Sequence, residues 1–174
     1  MAYPNPAPNK FSDLSFPEQL TLWSLRFWSD GFRQNYSPYE TLREAYTRAK
    51  CPAGLMSLDN FLSLVIAGHR RVVDFRCPCC GGISEDEWRL LQSLALVQSG
   101  GGARIADLLS HFLEPATARI ARTVIYDWAE ELKESGLILP LRDSVLAAIP
   151  VAQAVTGTGS VLRVYSSRGN MGLH

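Results

Sequence analysis

At 174 residues, 47% of them hydrophobic and 20% charged, the chain can bury a sizeable core as one domain or two small ones and is too poor in charge for extensive disorder. Seventeen Lys and Arg balance seventeen Asp and Glu, so no global field draws it to nucleic acid or to an anionic membrane, and any such contact has to be local. No apolar run reaches the span of a bilayer, and the Pro-, Asn- and Ala-rich start lacks the basic opening and apolar core of a signal peptide; the expected location is the cytoplasm, where thiols stay reduced.

Residues 1–12 read as a flexible leader. Ser15-Phe16-Pro17-Glu18 then has the form of a capping box and predicts a helix to about Phe32, with Leu20, Leu22, Leu25, Trp23, Phe27 and Trp28 inward. Ser37-Pro38-Tyr39-Glu40 repeats the box ahead of a second helix to about Lys50, with Tyr39, Leu42 and Tyr46 as its buried stripe; Cys51-Pro52-Ala53-Gly54 stops it. A third helix is predicted from Ser57, with Leu58, Phe61, Leu62, Val65 and Ile66 on one side and His69 continuing that side. Arg70 and Arg71 follow at its end, where cations complement the helix dipole.

In the second half, Ser84-Glu85-Asp86-Glu87 is a third capping box, followed by a helix to about Ser99, a loop at Gly100-Gly101-Gly102 and a short helix over Ile105 to Phe112. Pro115 opens the longest helix of this half, with Ile120, Val124, Trp128 and Leu132 inward, Arg119, Arg122 and Tyr126 outward, and Gly136 as C-cap. Leu137 to Arg142 can form a strand, and Val161 to Tyr165 alternates as a second, with Thr156 to Ser160 as the turn before it and a tail at 167–174. The expected organisation is mainly α: a helical half at 13–83 and a second at 84–166, either packed as one bundle or with the second half separate.

Three of the four cysteines fall in Arg76-Cys77-Pro78-Cys79-Cys80-Gly81-Gly82. A Cys-Pro-x-Cys-Gly-Gly turn lets two thiolates converge on one ion, and Cys77 and Cys80 fit it; over six residues it resembles half of a zinc ribbon or rubredoxin-type knuckle. No second Cys-x-x-Cys completes it, so the remaining ligands are expected from Cys51, Cys79 and His69, as a Cys₄ or Cys₃His shell. Zinc is the first expectation, an iron-sulfur cluster the alternative, and a redox-active dithiol a third use of the same residues. In the zinc case the ion would clip the end of the second helix and the third to the knuckle.

Three helices followed by a strand, with Leu132-Lys133-Glu134-Ser135-Gly136-Leu137-Ile138 at the junction, resemble a winged helix over about sixty residues. That resemblance implies a recognition helix at Pro115 to Ser135, a wing after Gly136, and DNA contacts from Arg119 and Arg122. Asp127, Glu130, Glu131 and Glu134 on the same helix oppose a phosphate backbone, so a protein is the expected partner and DNA the second candidate. The sequence has no Gly-x-Ser-x-Gly elbow, His-Glu-x-x-His helix, P-loop or dinucleotide fingerprint. The expectation is therefore a non-enzymatic regulatory or interaction module stabilised by zinc, with a thiol-based or iron-sulfur redox protein, and then a hydrolase using an open zinc, as alternatives.

Overall fold

Polar capping boxes start two of the helices among the described residues, those beginning at Phe16 and Glu85. The computed structural model describes residues 7–150. They form α1 (Phe16–Gln34), α2 (Tyr39–Arg48), α3 (Gly54–Gly68), α4 (Glu85–Gln98), α5 (Ile105–Leu109), α6 (Pro115–Glu134) and α7 (Asp143–Ala148), so the protein is mainly helical. The boxes at Ser15 and Ser84 both form. The one expected at Ser37 does not: Pro38 is itself the cap, its carbonyl accepts the Leu42 N–H at 3.0 Å, and no side chain caps the helix. Gly136 closes α6 with φ +76°, a conformation that favours glycine, and lets the Leu137 N–H reach back to Leu132 O at 2.8 Å.

One hydrophobic cluster runs through both halves of the chain. Leu22 and Leu25 of α1, Leu42 and Tyr46 of α2, Phe61 and Leu62 of α3, and Leu91 and Leu94 of α4 all belong to it, and α6 lies against α3, α4 and α5. The buried stripe of α6 is Ala118, Ala121, Ile125, Trp128, Ala129 and Leu132; the alanines let neighbouring backbones approach and leave room for Trp128, whose ring centroid lies 6.2 Å from that of Phe61. Ile120, expected inward, is 59% exposed: the buried stripe that carries Trp128 and Leu132 continues towards the start of the helix through Ile125, Ala121 and Ala118, and Ile120 falls off it. Trp23 and Phe27 are half-buried and stack on each other, and Tyr39 is exposed with its hydroxyl on Asp59.

The strand expected at 137–142 is not formed. This segment runs alongside α4, and two side-chain amides take the part of a partner strand: Gln98 donates to Leu137 O at 3.0 Å and accepts from the Leu139 N–H at 2.8 Å, while Gln92 accepts from the Arg142 N–H at 2.8 Å. These bonds take up part of the segment's backbone polar groups without a partner strand. The chain then turns into α7, where Val145, Leu146 and Ile149 pack on Leu96 and Leu108. The expected strand at Val161 to Tyr165, the turn at Thr156 to Ser160 and the tail lie outside the described residues.

The first turn of α4 does more than cap a helix, because two of its three acids face inward. Asp86, 2% exposed, takes both guanidinium nitrogens of Arg71 at 2.7 and 2.8 Å, the Asp74 N–H at 2.9 Å and Arg89 at 2.8 Å. Burial alone would raise its pKa, but the bonds from Arg71 and Asp74 outweigh it and hold the carboxyl below its ordinary value. Arg71 thereby ties down a strap, residues 68–74, which also pairs with 110–114 through Arg70 N–H to Phe112 O at 2.9 Å and Glu114 N–H to Gly68 O at 2.8 Å.

His111 closes this strap. Its Nδ1 lies 3.0 Å from Arg71 Nη2, and since a guanidinium can only donate, Nδ1 accepts and the ring is neutral. Burial first, then the charges of Arg89 and Arg71, hold the imidazolium below its ordinary 6.5, against the opposing pull of Asp86 and Glu85. The unfolded chain therefore takes up this proton before the folded one does, so the stabilisation is complete above about 6.5 and is lost as pH falls through the folded value. The urea midpoint should drop between pH 7.5 and 5.5, and in His111→Gln this part of the drop should vanish; an identical pH profile in the variant would place the dependence elsewhere.

Candidate functional site

The Cys77 to Cys80 segment is a tight turn, closed by the Cys80 N–H donating to Cys77 O at 3.1 Å, with Pro78 at the position where its fixed φ suits the bend. Beneath it lies Arg26 of α1, fully buried. Its Nη1 donates to Cys80 O and its Nη2 to Gly82 O, both at 2.6 Å, while Nε and Nη2 donate to the two carboxylate oxygens of Glu87 at 2.8 Å each. Glu87 also accepts the Arg76 N–H and the Ser84 N–H, both at 2.9 Å. The Phe11 ring covers the guanidinium at 5.5 Å, and its N–H donates to Gly81 O at 2.7 Å, beside a bridge between Lys10 and Gly82. The turn is thus fixed on both flanks by hydrogen bonds from Arg26 and from the Phe11 N–H.

The thiols project from this fixed backbone. Cys77 and Cys80 are partly exposed and Cys79 exposed, and the sulfurs of Cys77 and Cys79 are 3.1 Å apart. Cys77 is the thiol held below its ordinary value, because the S–H groups of Cys80 and then Cys79 donate to its sulfur. Cys79 is pushed the other way: it donates to Cys77 and faces the charge that forms there.

The structure brings together only part of the ligand set expected for zinc. Cys77, Cys79 and Cys80 share the turn, but Cys51 is buried, its thiol directed to Glu131 O on α6 at 3.5 Å, and next to Tyr46. His69 leaves the apolar side of α3 to become its exposed C-cap; its Nδ1 donates to Val65 O at 3.0 Å, and its backbone bridges to Leu113. Among the described residues, no three His, Cys, Asp or Glu side chains are arranged to hold a metal ion. Arg119 and Arg122 are exposed on α6, where they share a shallow cleft with Thr123 and Tyr126, and Arg122 lies 5.5 Å from the Tyr126 ring centroid.

Arg26 is the residue that sequence reasoning passes over. Its signal is faint: a single cation between Leu25 and Phe27 on the broad apolar side of α1, with an acid three residues after a Ser cap elsewhere in the chain. No protein-family model matches the sequence, and comparison with curated proteins and with solved structures returns no match.

Because Glu87 is fully buried, removing its partner leaves an uncompensated charge. Arg26→Ala should cost about 3–5 kcal/mol in urea denaturation. Arg26→Met combined with Glu87→Gln, which removes both charges and keeps volume, should cost clearly less; equal losses would mean that the pairing contributes only bulk.

Proposed function

We propose that the chain is a regulatory or interaction module rather than an enzyme, and that its thiol turn is a reversible dithiol switch. The observation that carries this reading is the 3.1 Å separation of the Cys77 and Cys79 sulfurs on a solvent-facing turn whose backbone is clamped by Arg26. Cys77 as thiolate attacks a hydroperoxide, becoming a sulfenic acid as the O–O bond breaks and the alcohol or water departs. The Cys79 sulfur then attacks the sulfenic sulfur, its proton leaves with the displaced hydroxyl as water, and a disulfide remains. Overall two thiols lose two hydrogens and the peroxide gains them. A bridge between residues two apart closes a small ring, which favours return to the dithiol by thiol exchange.

The consequence for the rest of the molecule runs through the same clamp. A change in the turn bears directly on Cys80 O and Gly82 O, and so on Arg26, Glu87 and the leader residues Lys10 and Phe11 that pair with Gly81 and Gly82. The leader is the segment whose docking oxidation would alter first.

Zinc at the same turn is the second reading, favoured by three thiols within four residues. With Cys51 and His69 engaged elsewhere, the remaining donors would come from a partner protein, and the ion would join two molecules instead of clipping helices within one. An iron-sulfur cluster would need a fourth thiolate from outside in the same way. DNA contact through Arg119 and Arg122 has less support: Asp127, Glu130 and Glu134 are exposed on the same helix, and 137–142 lies along α4 where a winged helix would begin its wing. A protein is the better-supported partner.

Equimolar hydrogen peroxide should convert the protein to a species lighter by two hydrogens, with Cys77 and Cys79 joined in the peptide map and reopened by dithiothreitol. Cys77→Ser should abolish this bond. Recovery of Cys77 as sulfinic acid with Cys79 still free would sink the switch, and complete protection by prior addition of one equivalent of zinc would favour the metal reading.

A further inference from the structure

A groove between α1 and α3 stands apart from the thiol turn and has a composition of its own. Its floor is formed by the buried Trp28, Leu62, Val65 and Phe75, and its cavity is about 240 Å³. Around the rim three large apolar side chains face solvent: Phe32 at 62% exposure, Ile66 at 39% and Val72 at 87%. Scattered exposed apolar residues are ordinary, but three around one cavity are not.

The polar groups of the lining narrow what could enter. Ser29 spends its hydroxyl on Leu25 O at 2.8 Å, and Trp28 its indole N–H on Asp59 at 2.9 Å. What remains is Arg33 and His69, both basic, with no acid in the lining. Arg33 Nη1 donates to Phe75 O at 3.0 Å, which fixes the guanidinium at the edge of the groove. Its Nη2 lies 4.0 Å from Asp30 Oδ1, beyond hydrogen-bond length, so donors on that nitrogen can serve a ligand. His69 donates through Nδ1 to Val65 O, and among the described residues its Nε2 has no protein partner.

We propose that this groove binds a small apolar monocarboxylate, an aliphatic or arylalkyl acid whose chain lies over Trp28 and Leu62 and whose carboxylate pairs with Arg33 beside His69. Charge complementarity selects the anion: apolar walls ending at a fixed guanidinium match an amphiphile with one negative head. The cavity falls just below the roughly 300–1,000 Å³ typical of small-molecule sites, which fits a short acid better than a helix or strand of a partner protein.

The test uses octanoate and octan-1-ol as probes of the full-length protein, with calorimetry for affinity and the Trp28 indole N–H resonance for location. Octanoate should shift that resonance and bind at least about tenfold more tightly than octan-1-ol, the difference expected of a charge-assisted hydrogen bond. Arg33→Gln, at a half-exposed position, should bring octanoate down to the level of the alcohol and leave the alcohol within about twofold, while Ile66→Asp should weaken both. Equal affinity of the two probes, indifference of octanoate to Arg33→Gln, or no shift of the Trp28 signal at millimolar probe would each overturn the assignment.

Discussion

The Arg26–Glu87 pair is the interaction on which the arrangement of this protein turns. Both side chains are fully buried, so the cost of removing them from water is high and is offset by the hydrogen bonds that each of them makes. The guanidinium spends four of its five N–H donors on Glu87, Cys80 O and Gly82 O, and the carboxylate accepts from Arg26, the Arg76 N–H and the Ser84 N–H. In this way one contact joins α1 to the start of α4 and fixes the turn between them. The same device appears a second time: Glu18, the third residue of the α1 cap, is fully buried and takes Arg142 in a two-pronged bond at 2.9 Å, drawing the segment before α7 onto α1. In both cases the glutamate of a capping box is turned inward and serves two purposes.

Helix positions were legible in the sequence because periodicity and caps are local. Ser15 with Glu18, Ser84 with Glu87, and Gly136 after α6 all act where their patterns put them. Errors arise where a distant partner decides. At its start the α6 stripe runs through Ala118 and Ala121, which carry little hydrophobic signal, so the sequence pattern points to the larger Ile120, which the fold leaves exposed. The 137–142 segment alternates like a strand, and nothing local reveals that Gln92 and Gln98 on α4 will bond to its backbone. His69 follows the α3 spacing, yet the pairing of 68–70 with 112–114 pulls the chain outward at that residue.

The same distinction divides the site. That three cysteines form one group was readable from spacing, and Pro78 indicated the bend. Which further groups join them was not, because sequence proximity suggested His69 and the end of α2 suggested Cys51, whereas Cys51 packs under α6 and His69 caps α3. Arg26, which decides the shape of the turn, gave almost no warning, since a lone cation in an apolar helix is as easily a side chain reaching for water. With Cys51 and His69 turned to other partners, the turn itself offers three neighbouring thiols, two of them with sulfurs 3.1 Å apart.

The central claim is that the folded backbone, held by Arg26, brings the Cys77 and Cys79 sulfurs together. It is tested most directly by measuring the Cys77–Cys79 disulfide equilibrium in the same glutathione buffer, once with folded protein and once in urea. The folded protein should hold the larger disulfide fraction, because the clamp supplies proximity that the unfolded chain lacks. An equal or smaller fraction in the folded state would contradict it.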